Sequence, residues 1–180
     1  MYGYSKKRHP FHYFVLATIE NGVPRQRTVV LRKTLADLSI VFYTDKRTQK
    51  LNDIQQNPMC SALFYCPKKL LQVRINGKAS LINNKDEIAT YWQGIQQAAK
   101  NDYTTKLAST PIKNPDDISY NAEKDFFCAL KIVPDTIEYL RLKRPNHLRV
   151  LFSKIDSDWS GEFWCLNFKY KLLIQPNSRS

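Results

Sequence analysis

Short runs of β-branched and aromatic residues, each of strand length, recur through most of this chain and constrain its fold more than any other feature. They are Tyr13 to Thr18 (YFVLAT), Thr28 to Arg32 (TVVLR), Ser39 to Thr44 (SIVFYT), Ser61 to Tyr65 (SALFY) and Leu70 to Ile75 continuing to Leu81, then Phe126 to Val133, Thr136 to Leu142, Arg149 to Ser153 and Phe163 to Phe168. The links between them, such as Glu20-Asn21-Gly22 and Pro134-Asp135, are hairpin-sized. Closely spaced strands joined this way form an antiparallel sheet, and closing it on itself removes the exposed edges. The expected fold class is therefore mainly β with some α, a β-barrel with peripheral helices. With 180 residues, 43% of them hydrophobic, residues 1–180 are expected to form a single domain, frayed over 175–180.

Two helices interrupt the strands. One spans about Gln49 to Gln56, with Thr48 as N-cap and Asn57-Pro58 as the stop. The other opens on a capping-box pattern, Asn84 with Glu87, and carries Ile88, Tyr91, Trp92, Ile95 and Ala99 at helical spacing, a stripe that reads as core packing. Residues 101–123 show no period and read as a long loop.

Several function classes fall away at this stage. The five glycines have no spacing that would cradle a phosphate in a Rossmann or P-loop turn. No apolar stretch approaches the roughly 20 residues of a membrane helix, and the start MYGYSKKRHP lacks a signal-peptide core, so a cytoplasmic protein is expected. The four cysteines form no C-x-x-C pair and have no nearby histidine, so they read as buried thiols and no metal site is expected. A formal charge of +12 suits any phosphate-bearing partner and cannot by itself choose among them.

Three segments carry residues suited to such a partner. In Arg27 to Arg32 (RTVVLR), alternation puts Arg27, Val29 and Leu31 on one face and Thr28, Val30 and Arg32 on the other. At least one of these arginines is expected to meet an anion, the alternative being an edge strand with solvated arginines. Tyr43 to Lys50 (YTDKRTQK) runs from a strand into a helix, so the helix dipole, free backbone N–H groups, Thr48 and Lys50 all favour a phosphate there. An ordinary capped surface helix is the alternative. Leu70 to Ala79 puts Gln72, Arg74 and Asn76 on one polar face, where a glutamine amide matches the mixed edge of a heterocycle. Solvent exposure would explain the same pattern.

Taken together, R-x-V-V-L-[RK], F-Y-T, a Thr and a Lys opening a helix, N-P, L-F-Y and Q-V-x-x-x-G-K resemble the pyridoxamine 5′-phosphate oxidase-like FMN-binding proteins. The likeness is closest over Pro10 to about Gly77 and resumes at His147-Leu148-Arg149. It implies an FMN-binding split β-barrel built as a homodimer, with FMN in clefts between subunits. It also implies Arg27 and Lys50 at the FMN phosphate, Thr28, Val29 and Val30 along the cofactor, Arg32 near the flavin, and Tyr43 and Thr44 as backbone and side-chain contacts. Thr48 and Arg47 would stand at the phosphate end, Gln72 and Arg149 at the flavin ring, and His147 toward the substrate.

The departures from that pattern bear on substrate. Gln49 stands where the oxidases carry a second phosphate-binding arginine, with Arg47 close enough in sequence to substitute. Leu140 falls about where they have a flavin-neighbouring tryptophan. Pro145 replaces the first arginine of their R-x-H-x-R segment, with Arg144 one residue off, and the longer C-terminal ending of the oxidases is not expected here. The function implied is an FMN-dependent oxidoreductase related to pyridoxamine 5′-phosphate oxidase but with a different substrate. The alternatives are a flavin-binding protein without turnover and, ranked well below, a basic nucleic-acid-binding barrel.

Overall fold

In the computed structural model the described residues are 9–107, 114, 116, 118–121, 125–156 and 158–164. They form a nine-stranded antiparallel sheet with three helices against it. The strands are β1 (Tyr13–Glu20), β2 (Val23–Val30), β3 (Lys33–Thr34), β4 (Ile40–Asp45), β5 (Met59–Cys66), β6 (Leu71–Leu81), β7 (Phe127–Arg141), β8 (Leu148–Ile155) and β9 (Asp158–Phe163). The helices are α1 (Gln49–Gln56), α2 (Lys85–Gln93) and α3 (Gln97–Lys100).

The main path runs β2-β1-β5-β6-β7-β4-β3, with β8 and β9 continuing from the far part of β7. This sheet does not close into a continuous barrel. Where β2 ends, Leu31 N–H donates to His12 C=O (2.8 Å) on one side, and Arg32 N–H donates to Val41 C=O (2.9 Å) on the other. Two consecutive residues thus tie the two ends of the path together without a full ladder, which is the form of a split barrel. The β1–β2 hairpin turns on Asn21-Gly22, both at positive φ (50° and 80°), the conformation a two-residue hairpin demands and glycine supplies freely.

Alternation decides what each strand buries. On β4, Ile40 and Phe42 enter one apolar cluster with Phe14, Leu16, Leu130 and Ile132, while Val41 and Tyr43 join a second with Tyr91, Tyr103 and Phe127. Strand β4 is covered on both faces, which accounts for its nearly continuous apolar run.

Two expectations need correction. Residues 126–142 do not form two strands around a Pro134-Asp135 turn but the single strand β7. Pro134 is tolerated there because the β6–β7 register shifts between Asn76 and Gly77, and a proline without an N–H sits at such an irregularity with little loss. The second helix is shorter than its apolar stripe. It stops at Gly94, and a turn leads into α3, while Ile95 stays buried without being helical. The strand expected over Phe163 to Phe168 lies outside the described residues from Cys165 on, and the loop 101–123 is only partly within them, with a bridge between Thr105 and Tyr120.

Candidate functional site

Arg27 on β2 pairs with Leu16 on β1 and shares its inward face, so an arginine is carried to the barrel rim at the edge of an apolar core. Its Nη1 donates to Thr18 Oγ1 (2.5 Å) and its Nη2 to Asp53 Oδ2 (3.3 Å). Asp53 belongs to α1 and is only 1% exposed. Thr18 Oγ1 also donates to Asp53 Oδ2 (2.7 Å), and Gln49 Nε2 to Asp53 Oδ1 (3.1 Å). Three donors thus satisfy the two oxygens of this buried carboxyl group.

Lys50, in the first turn of α1, comes up beside this group. Its Nζ donates to Thr44 Oγ1 (2.8 Å), and no carboxylate lies within ion-pair distance of it among the described residues. Burial pushes its pKa below the usual 10.5, and the nearby Arg27 guanidinium pushes it further the same way. An anion between Arg27 and Lys50 would relieve both costs.

Thr48 occupies the N-cap position of α1, but its hydroxyl donates backward to Asp45 C=O (2.8 Å) instead of capping. No acidic residue stands in the first turn and no side chain caps it; Leu51 N–H turns back onto Thr48 C=O (3.0 Å), which leaves the Gln49 and Lys50 N–H groups to meet a ligand oxygen. Arg47 is committed elsewhere. It forms an ion pair with Asp45 (2.5 Å), donates to Thr105 C=O (2.8 Å) and stacks on Phe126 at 3.3 Å from the ring centroid. The structure therefore does not bring Arg47 to the Arg27–Lys50 group, although sequence proximity alone suggested it as a replacement for the arginine missing at Gln49.

The remaining residues fall into two further groups. Arg32 lies on the opposite face from Arg27, 5.3 Å from the Tyr43 ring centroid and next to Tyr103, with its buried Nε unpartnered. Burial raises the Tyr43 hydroxyl to about 12, so it stays neutral. Thr44 is buried, with its carbonyl accepting from Cys128 Sγ (3.4 Å). Along β2, Val29 packs partly into the core and Thr28 and Val30 take the other face, Thr28 exposed.

The last group crosses three strands. Gln72 on β6, Leu140 on β7 and Arg149 on β8 pair in one row, and Arg74 and Glu138 form the next row on the same face. Glu138 is 6% exposed and accepts from Arg74 Nη2 (2.8 Å) and Arg149 Nη2 (2.7 Å) through one oxygen. Both arginines leave a buried Nε without a partner. Arg149 also lies 5.3 Å from the Trp164 ring centroid. His147 turns back onto its own hairpin, its Nδ1 accepting from Lys143 N–H (3.2 Å).

Sequence reasoning passed over Thr18, Asp53 and Glu138, which orient the arginines. A signal for Asp53 exists, since Gln49 and Asp53 stand i, i+4 on one helix face. Glu138 is a lone acid in the run TIEYL. Neither signal says which cation it meets, because those partners are 26 and 64 residues away. The three described cysteines, Cys60, Cys66 and Cys128, are free and buried, while Cys165 lies outside the described residues. Among the described residues there is no metal-binding cluster, and no helix is long and apolar enough to cross a membrane.

An open-sided antiparallel barrel with two cations beside a helix start at its rim defines the class as a split barrel, and comparison with known proteins gives the family. The family model for the pyridoxamine 5′-phosphate oxidase FMN-binding domain matches residues 2–83. A pyridoxine/pyridoxamine 5′-phosphate oxidase of Hydrogenovibrio crunogenus is 30% identical over 159 residues, covering 81% of this chain and 74% of that protein. One from Haemophilus influenzae is 28% identical over 164 residues, 82% of this chain and 76% of that one. Among solved structures, a pyridoxamine 5′-phosphate oxidase-related FMN-binding protein of Nostoc punctiforme superposes with a TM-score of 0.73 at 30% identity, covering 84% of this chain and 87% of that one. PhzG of Burkholderia lata gives a TM-score of 0.75 at 15% identity, a likeness of fold alone. The chain belongs to the pyridoxamine 5′-phosphate oxidase-like, FMN-binding split-barrel family.

Proposed function

We propose that this chain binds FMN, with the 5′-phosphate between Arg27, Lys50 and the start of α1, and that it works as an FMN-dependent oxidoreductase. The observation that supports this most is the convergence of two cations, one of them partly desolvated and without a carboxylate partner, on a helix start that no side chain caps. Thr44 and Thr48 add hydroxyls at the same place, 3.3 Å apart. Gln72 supplies an amide for the ring edge of the flavin, and Arg149, with Arg32, a cation to favour negative charge there. FMN would supply the redox chemistry, and the protein's share is to bind, orient and tune it.

The reading includes a homodimer in which Arg149 and His147 serve the cofactor bound by the other subunit's Arg27 and Lys50. Sedimentation should show a dimer at micromolar concentration, and a monomer that retains flavin would contradict it. The substrate is proposed to differ from a vitamin B6 phosphate. Pro145 offers no cation where the oxidases place one, and Arg144 and Lys143 on that hairpin are exposed. Peroxide release with pyridoxamine or pyridoxine 5′-phosphate should stay far below that of a true oxidase.

Comparing FMN with riboflavin tests the phosphate assignment. Riboflavin should bind poorly, and Lys50→Met should weaken FMN binding by about 10- to 100-fold, the equivalent of a charge-assisted hydrogen bond of roughly 1.5–3 kcal/mol. Lys50 is the cleaner probe, because Arg27 is also the ion-pair partner of buried Asp53. Equal binding of riboflavin and FMN would refute the assignment.

A further inference from the structure

We propose that Glu138 and Arg74 set the reduction potential of the bound flavin by fixing how much of the Arg149 charge is felt at its ring. The inference rests on the cofactor reading above and gives roles to two residues that do not touch the cofactor in it. Arg149 shares a row with Gln72, the amide given to the ring edge, while Glu138 and Arg74 stand one row further along the same sheet face. Arg149 spends Nη2 on Glu138 Oε2 (2.7 Å), and its Nη1 makes no hydrogen bond among the described residues, which leaves a donor for a ligand. The same Oε2 accepts from Arg74 Nη2 (2.8 Å). One buried carboxylate is thus divided between two guanidinium groups, and two positive charges against one negative leave the group net positive.

This division makes the two residues act with opposite sign. A positive charge beside the flavin favours the reduced ring, which gains negative charge, over the oxidised one. With Arg74 in place, Glu138 offsets only part of the Arg149 charge. Without Arg74 the carboxylate would be committed to Arg149 alone, and the ring would face a nearly neutral pair; without the carboxylate, both arginines would stand uncompensated. Arg74→Gln should therefore lower the potential, and Glu138→Gln should raise it. A carboxylate that only clamped Arg149 would act the other way, since its loss would let the cation swing off the ring and lower the potential, as Arg149→Gln does. Glu162 lies in the Glu138 row two strands over and forms an ion pair with neither arginine. It is common to all these variants and leaves the signs unchanged.

The test is the midpoint potential of the FMN-loaded protein and its variants, read by anaerobic equilibration with a reference dye. Glu138→Gln should shift the equilibrium toward reduced FMN by about threefold to tenfold, or about 15–30 mV for a two-electron couple. Arg74→Gln, whose guanidinium is the more exposed, should shift it about two- to threefold the other way. A lowered or unchanged potential in Glu138→Gln, or a raised or unchanged one in Arg74→Gln, overturns the inference and leaves FMN binding intact. If Glu138→Gln does not fold, the result for Arg74→Gln decides alone, because a carboxylate that only clamps Arg149 predicts no change there. A wild-type protein that takes up no FMN overturns the cofactor reading and this inference with it.

Discussion

Glu138→Gln is the perturbation whose size can be worked out most directly from the structure. The carboxylate accepts one hydrogen bond from each of two arginines, at 2.8 and 2.7 Å, and is 6% exposed. Charge-assisted hydrogen bonds contribute roughly 1.5–3 kcal/mol each, so the pair has a ceiling of about 3–6 kcal/mol. Much of that is screened, because the Arg74 side chain is 41% exposed and Arg149 24% exposed, and water can re-solvate both. Glutamine also keeps one carbonyl acceptor. Halving the ceiling and crediting that acceptor leaves a loss of about 1–2 kcal/mol, or about 2–8 °C in Tm for a domain of this size. Urea unfolding followed by circular dichroism should show a lower midpoint at an unchanged slope. Arg74→Gln should cost less, since Glu138 then retains Arg149. A loss below about 0.5 kcal/mol for Glu138→Gln, or a larger loss for Arg74→Gln, would refute the view that one buried carboxylate holds both arginines in place.

Three further outcomes follow from individual contacts. Lys50 starts with a pKa lowered from 10.5 by burial and by Arg27, and a bound phosphate favours its charged form. FMN affinity should therefore hold at neutral pH and fall as pH rises through a point below 10.5, and Lys50→Arg should move that loss upward in a fluorescence titration. A methyl at Gly77 would sit 2.1 Å from Val133 C=O and 2.9 Å from Pro134 Cα, both backbone, so Gly77→Ala should cost about 2–3 kcal/mol in chemical denaturation. Burial pushes the Cys60 and Cys128 thiols up to about 12 and 11. In a Cys165→Ser background, thiol reagent at pH 8 should label the protein only after denaturation.

Most of the strand set, α1 and the start of α2 could be read from the sequence because period, capping and turn residues act over a few neighbours. YFVLAT alternates into Phe14, Leu16 and Thr18 facing inward, and Asn21-Gly22 specifies its own hairpin. Local signals misled where a remote partner decides the outcome. Pro134-Asp135 has the composition of a turn, yet the chain stays extended because Gly77, 57 positions earlier, leaves room opposite it. Gly94 ends α2, although Ile95 continues its apolar pattern, because the second cluster can bury Ile95 from a turn. The site divides in the same way. The sequence determines that Arg27 and Arg32, the latter two residues past the end of β2, face opposite ways and that Lys50 lies in the first turn of a helix. Only the tertiary structure decides that Arg27 leans on Asp53, that Arg47 is spent on Asp45 and Thr105, and that Arg74 and Arg149 share Glu138. The reason is physical: backbone alternation is fixed by the residue's own geometry, whereas the partner of a charge depends on which distant strands the hydrophobic core brings together.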